Sequence, residues 1–247
     1  MKLTHSRVSV VIPTWNEHPQ IAKLLDSLKA QTLPPWETIV VDKKSTDGTG
    51  QYAESVGSKV IYDMGNVATA RNTGAKVCSG DIVAFTEADT IVPKEWIEAI
   101  ASKFEGDLNL LAVAGPGIPY SSRDVPLSVA FEYWLYNRFR ALMGRFGVFM
   151  CSGYNMAVRR EVLDRIHFPD IVPNDDGLFG RMVSRTGKTF FASNIYVHIS
   201  SRRFEKLGFI QANLYYLFML ENISPLFDPI TNILRARSAK NFDRSKG

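Results

Sequence analysis

Short apolar runs alternate with apolar positions at helical spacing through roughly the first 110 residues of the chain. Val8-Ser9-Val10-Val11-Ile12 predicts a buried parallel strand, and behind Pro19 the residues Ile21, Leu24, Leu25 and Leu28 recur as one face of a helix. A second unit follows in Thr38-Ile39-Val40-Val41 and a helix opened by Ser45-Thr46-Asp47-Gly48-Thr49, whose hydroxyls and carboxylate suit a helix N-terminus. The third joins a short strand from Lys59 to Tyr62 to a helix from about Val67 to Val77. The fourth is the run Asp81-Ile82-Val83-Ala84-Phe85, with a helix starting near Pro93. Strands alternating with helices of this length predict an α/β fold with a Rossmann-like, mostly parallel central sheet flanked by helices.

After the strand Leu110 to Ala114 the regularity breaks. Gly115-Pro116-Gly117 signals a turn, and an aromatic-rich helix is expected from about Pro126 to Phe146. The remainder reads as mixed: a strand over Tyr154 to Val158, a helix opened by Asp175-Asp176, two short strands around Phe190 and Val197, and a long helix from about Phe204. No repeat and no low-complexity linker interrupts the chain, so one continuous domain is expected.

Composition narrows the partners. The 247 residues are 45% hydrophobic and carry a formal charge of +4, which suits an anionic partner but is too sparse to argue for nucleic acid. Cys78 and Cys151 are too few and too far apart for a disulfide framework, so a reducing, cytoplasmic setting is expected. Met1 to Val8 is polar and predicts no signal peptide, and no apolar run reaches the roughly 18 residues of a membrane span.

Candidate chemistry collects at the predicted strand exits. Glu87-Ala88-Asp89 places two carboxylates at the end of a buried strand, where ligands of open α/β sheets bind and where an acidic pair can hold a hard cation. Pro13-Thr14-Trp15-Asn16-Glu17 leaves the first strand at the same edge, and Asp42 ends the second, where a carboxylate can accept hydrogen bonds from a ribose or a base. Taken singly, each reads equally as a loop or turn. No Gly-x-Gly-x-x-Gly follows strand one, which disfavours a dinucleotide-binding Rossmann unit.

In order and spacing, Val8 to Glu17, Val41-Asp42 before Ser45-Thr46-Asp47-Gly48-Thr49, Ala70-Arg71-Asn72-Thr73-Gly74 and Glu87-Ala88-Asp89 resemble the family 2 glycosyltransferases of the GT-A fold. The resemblance covers residues 6 to 100 most closely and continues to about 222. It implies a nucleotide-sugar-binding half over 1–115 and an acceptor-binding half over 116–222, and the residues beyond, 223–247, read from composition as a basic tail. It also implies a nucleoside-diphosphate-sugar donor, with Pro13, Thr14, Trp15 and Glu17 near base and ribose, Asp42 on base or ribose, and Arg71 by the base or diphosphate. Asp89 would ligate Mg²⁺ or Mn²⁺ on the diphosphate, while Glu87 departs from the family's first aspartate and, as a longer carboxylate on the nucleotide sugar, can reach a ribose hydroxyl or a metal-bound water. Such a cation neutralises the charge that develops on the leaving diphosphate. Lys43-Lys44 is a second departure, facing phosphate or solvent.

Asn174-Asp175-Asp176 before Gly177-Leu178-Phe179-Gly180-Arg181 is similar to the family segment that carries the general base of inverting members. Alignment on Arg181 puts Asp175 in that role with Asp176 beside it, while the residues alone also allow two helix-capping acids. By the same resemblance His198 completes a metal sphere, Arg202 or Arg203 neutralises diphosphate, and Gly153-Tyr154 belongs to an acceptor loop. The expected reaction moves a hexose to a hydroxyl or lipid-phosphate acceptor, with inversion. A sugar-phosphate nucleotidyltransferase and a catalytically silent nucleotide-sugar-binding scaffold are the alternatives.

Finally, Phe131, Trp134, Leu135, Phe139 and Leu142, interleaved with Arg138, Arg140 and Arg145, have the composition of an interfacial helix. A second apolar set, Leu214, Leu217, Phe218 and Leu220, precedes the basic tail. Aromatic stripes also pack cores, so peripheral membrane contact and burial both stand as readings. The sequence leaves the oligomeric state open.

Overall fold

The computed structural model describes residues 6–120, 125–171 and 174–202. The chain runs through β1 (Val8–Thr14), α1 (Gln20–Lys29), β2 (Glu37–Asp42), α2 (Thr49–Ser55), β3 (Lys59–Tyr62), α3 (Val67–Val77), β4 (Ile82–Phe85), β5 (Thr90–Ile91), α4 (Trp96–Glu105) and β6 (Leu110–Ala114). It continues with β7 (Gly117–Tyr120), α5 (Leu127–Arg145), β8 (Met156–Arg159), α6 (Arg160–Leu163), α7 (Asp175–Ser184), β9 (Lys188–Phe191) and β10 (Val197–Ser200). The expected helix from Phe204, its apolar set and the basic tail lie outside the described residues, as does Arg203.

Seven strands form one sheet in the order β3-β2-β1-β4-β8-β6-β9. The first four are parallel, as the alternating pattern requires, whereas β8 lies antiparallel to both β4 and β6. Both faces of the central strands are covered. Val8, Val10 and Ile12 pack with Ile21, Leu24, Leu25 and Leu28 of α1 and Trp96, Ile97 and Ile100 of α4. Val11, Ile39 and Val41 pack on the opposite face with Ala68 and Ala70 of α3 and Phe179 and Val183 of α7. That two-sided burial is why these strands read as unbroken apolar runs. Gly74 lets α3 lie close on β1, since a Cβ there would stand 2.4 Å from a Val11 methyl.

A small second sheet, β5-β10-β7, lies outside the alternating pattern. β10 pairs antiparallel with β5 and parallel with β7, which carries a segment of the chain's second half beside the exit of β4. Ser200 N–H donates to the Asp89 carbonyl at 3.2 Å, so residues 111 positions apart meet beside the acidic pair.

Three local expectations change. The strand expected from Tyr154 begins at Met156, because Tyr154 and Asn155 turn inward and their polar groups are used in packing. The helix expected near Pro93 begins at Trp96. At α2, Gly48 is the cap residue in a left-handed conformation with φ 89°, and Asp47 instead accepts from Thr49 N–H at 3.0 Å and His18 N–H at 3.0 Å.

Candidate active site

The carboxyl ends of β1, β2 and β4 form one edge, and their exit loops are stitched together. Asn16 N–H donates to Ser45 Oγ at 2.8 Å, Thr46 N–H donates to Asn16 Oδ1 at 2.9 Å, and Glu17 N–H donates to Thr49 Oγ1 at 2.9 Å. Asp42 ends β2 fully buried, its Oδ2 accepting from Ser45 N–H at 3.1 Å and its Oδ1 from the Ser45 hydroxyl. Its carboxylate therefore shapes the loop it was expected to lend to the donor. Trp15 lies in the same loop with Lys43 Nζ 5.3 Å from its ring centroid, so one of the two departing lysines faces this edge.

Arg71 is the centre of the site. Carried on α3 and 2% exposed, its guanidinium donates through Nη1 to Asp175 Oδ2 at 2.5 Å and through Nη2 to Glu87 Oε1 at 3.3 Å. One cation thus joins the strand-exit acid to the acid that opens α7. Burial works against its charge, but the carboxylates of Asp175, Asp176 and Glu87 outweigh that and hold its pKa above the ordinary value. Glu87, one bond longer than aspartate, spends its reach on Arg71.

Gly153 makes this geometry sterically feasible. A Cβ at that position would lie 1.7 Å from Arg71 Nη2. The loop is held from the other side by Asp176, whose Oδ2 accepts from Gly153 N–H at 2.7 Å and whose Oδ1 accepts from Gly177 N–H at 2.8 Å. The two adjacent acids therefore differ: Asp176 commits both oxygens to backbone, while Asp175 meets Arg71 through one. Burial pushes the Asp175 carboxyl up from its ordinary value, opposed by Arg71 and reinforced by Asp176.

On the far side, Arg202 closes the edge. Its Nη2 donates to Glu17 Oε2 at 2.7 Å and to Asp89 Oδ2 at 2.9 Å. A cationic group therefore already rests between two of the expected donor-site acids. His198 stands on β10, two positions before Ser200, and burial lowers its pKa, favouring the neutral imidazole that can ligate a metal. Among the described residues no three His, Cys, Asp or Glu side chains converge on one point. Two buried polar atoms on this edge, Thr14 Oγ1 and Arg71 Nε, have no hydrogen-bond partner among the described residues. Buried orphans of this kind mark where a ligand's polar groups can complete the network.

Sequence reasoning missed the polar hub behind the site. Trp96 Nε1–H donates to Asn155 Oδ1 at 3.0 Å, and Asn155 Nδ2–H donates to Pro116 and Ile195 carbonyls at 3.1 and 2.8 Å. Arg140, expected on the outer face of its helix, is fully buried and donates to Tyr154 Oη at 3.0 Å and the Met150 carbonyl at 2.9 Å. Helical phase explains the correction: at about 100° per residue, Arg140 lies some 160° around α5 from Arg138. Tyr154, read as an acceptor contact, is positioned by that arginine.

Set against known proteins, residues 9–167 match the family model described as Glycosyl transferase family 2. Glycosyltransferase AglE of Haloferax volcanii is 38% identical over 109 residues, which are 40% of this chain and 36% of that protein. The poly(ribitol-phosphate) beta-N-acetylglucosaminyltransferase TarS of Staphylococcus aureus is 32% identical over 130 residues, 47% of this chain and 23% of TarS. The matches thus span about a third or less of these curated relatives. Among solved structures, the mannosyltransferase PcManGT of Pyrobaculum calidifontis, in complex with GDP-Man and Mn²⁺, superimposes with a TM-score of 0.65 at 25% identity, covering 93% of this chain and 69% of that one. TarS 1–349 in complex with UDP-GlcNAc gives a TM-score of 0.63 at 25% identity over 79% and 59% of the two chains.

Proposed function

The chain belongs to glycosyl transferase family 2 and has the GT-A fold, and from that premise we propose that it is an inverting hexosyltransferase using a nucleoside-diphosphate sugar. The observation that carries the reading is the line Glu87–Arg71–Asp175, which sets a buried carboxylate of raised pKa across from the donor-side acids.

In this reading the donor lies along the edge of β1, β2 and β4, with Thr14, Trp15 and Glu17 on the nucleoside. Pro13 and Asp42 fix the loops that hold it. Asp175 takes the proton of the acceptor hydroxyl as that oxygen attacks the anomeric carbon in line, and the bond to the diphosphate breaks with its electron pair leaving on the diphosphate oxygen. Asp176 and Gly153 hold the acceptor loop against Arg71. Asp89, whose carboxylate pairs with the Arg202 guanidinium, would hold a divalent cation, with His198, in register with Ile91 on the adjoining strand, as a nitrogen ligand. When bound, Mg²⁺ or Mn²⁺ supplies charge neutralisation to the leaving diphosphate. Arg202, which pairs with Asp89 here, would meet the same phosphates.

Donor hydrolysis tests the assignment. The wild-type chain is expected to release nucleoside diphosphate from one of UDP- or GDP-sugars with Mn²⁺ present, and Asp89→Ala to lose that release. Donor binding without turnover on any hydroxyl or lipid-phosphate acceptor would instead identify a silent binding protein.

A further inference from the structure

The outer face of α5 carries a stripe that the catalytic account leaves unused. Leu127 is 88% exposed, Phe131 61%, Trp134 55%, Leu135 54%, Leu142 47% and Phe146 73%. At about 100° per residue these positions fall within an arc of about 120°, and the rod they line is about 28 Å long for the 19 residues of the helix. Within that arc the charged residues are Arg138 and Arg145, both exposed. Glu132, the acid of the helix, falls outside it and is half-buried with partners of its own.

The stripe has aromatic order as well as composition. Phe131 and Trp134 stack with centroids 5.8 Å apart, and the Arg138 guanidinium lies 5.9 Å from the Trp134 ring. Rings with cations at their level suit the headgroup layer of a bilayer, where apolar bodies enter the acyl boundary and arginines meet lipid phosphates. A protein partner would need a groove for a convex helical ridge and acids opposite its arginines. A membrane supplies both properties without shape.

We propose that α5 lies flat on an anionic lipid bilayer through Phe131, Trp134, Leu135 and Leu142, with Arg138 and Arg145 on lipid phosphate. The opposite arc of the same helix holds the site: Asn137 Nδ2–H donates to the Gly117 carbonyl at 2.9 Å and Arg140 fixes Tyr154. A single rod thus faces lipid on one side and the acceptor loop on the other. This placement does not depend on which acid is the base.

The test is co-sedimentation of the full chain with vesicles of phosphatidylcholine alone and of phosphatidylcholine mixed with phosphatidylglycerol. Wild type is expected to bind the anionic vesicles, with a blue shift of Trp134 fluorescence that Trp134→Phe removes. Phe131→Ser/Leu135→Ser should abolish binding, and Arg138→Gln/Arg145→Gln should weaken it by about an order of magnitude. These side chains are exposed, so unchanged circular dichroism and unchanged nucleoside-diphosphate binding are expected and keep this result separate from the catalytic reading. Absence of wild-type binding overturns the proposal. Unchanged binding in the Ser variant overturns it in favour of another segment, and equal binding to neutral vesicles overturns the anionic requirement. A dimer that the Ser variant dissociates, without vesicle binding, shows that a second copy is the occupant.

Discussion

At the scale of the residue, the account turns on a buried cation with two acids. Removing Arg71 leaves the Asp175 carboxylate buried without its counterion, a change that typically costs about 3–5 kcal/mol. Urea denaturation of Arg71→Ala should show a loss of that order, and a loss below about 1 kcal/mol would mean the pair is solvated rather than buried. The pH dependence follows from the same residue. Burial raises the Asp175 pKa, so the carboxyl takes up its proton at higher pH than a free aspartate, and turnover, which needs the ionised form, falls as pH drops through that raised value. The acid limb of kcat should therefore lie above that expected for a free aspartate. Arg202 supplies a third prediction. Because its Nη2 holds Asp89 Oδ2 at 2.9 Å, Mn²⁺ alone should bind weakly, and Arg202→Gln should bind Mn²⁺ alone more tightly in a paramagnetic titration while binding Mn²⁺-nucleoside diphosphate less tightly. Equal Mn²⁺ affinity in both proteins contradicts this role.

At the scale of the element, α5 shows how far the chain could be read. The apolar runs of β1, β2 and β4 and the helical spacing of α1 are local signals, and each reappears at its expected place. The order of Pro13 to Glu17, Asp42, Arg71 and Glu87-Ala88-Asp89 was legible for the same reason, since each lies at the end of its own strand or, for Arg71, in the first half of its own helix. What was not legible depends on contacts between distant segments. Arg140 differs from Arg138 only in phase, and its burial is decided by Tyr154 and the Gly115 and Met150 carbonyls. Likewise nothing near Gly153 announces that Arg71, 82 positions earlier, fills the space where its Cβ would be. Of the sheet of β5, β10 and β7 only β10, expected around Val197, was legible; β5 and β7, of two and four residues, carry too little periodicity to register, and their pairing joins distant segments. Because Arg140 couples α5 to the Tyr154 loop, Arg140→Gln should lower the thermal midpoint while nucleoside-diphosphate affinity stays unchanged. A fall in nucleotide affinity instead would place Arg140 on the donor side.

At the scale of the whole molecule, the two halves of the chain meet at one edge. The first half brings Glu17, Arg71, Glu87 and Asp89, and the second brings Gly153, Asp175, Asp176 and Arg202, with ion pairs across the boundary at Arg71–Asp175 and Arg202–Asp89. A sheet whose parallel strands β1, β2 and β4 end at this edge, and whose antiparallel strand β8 follows the Gly153 loop beside it, accounts for that meeting. Among the described residues no helix is long and apolar enough to cross a membrane. The central claim is that Asp175 is the base of a transferase whose donor site is otherwise complete without it. Its most direct measurement compares Asp175→Asn with wild type in donor binding by calorimetry and in Mn²⁺-dependent sugar transfer or donor hydrolysis. The account predicts donor affinity within about twofold of wild type and turnover lower by about 10²- to 10⁴-fold. Wild-type turnover in Asp175→Asn would contradict it.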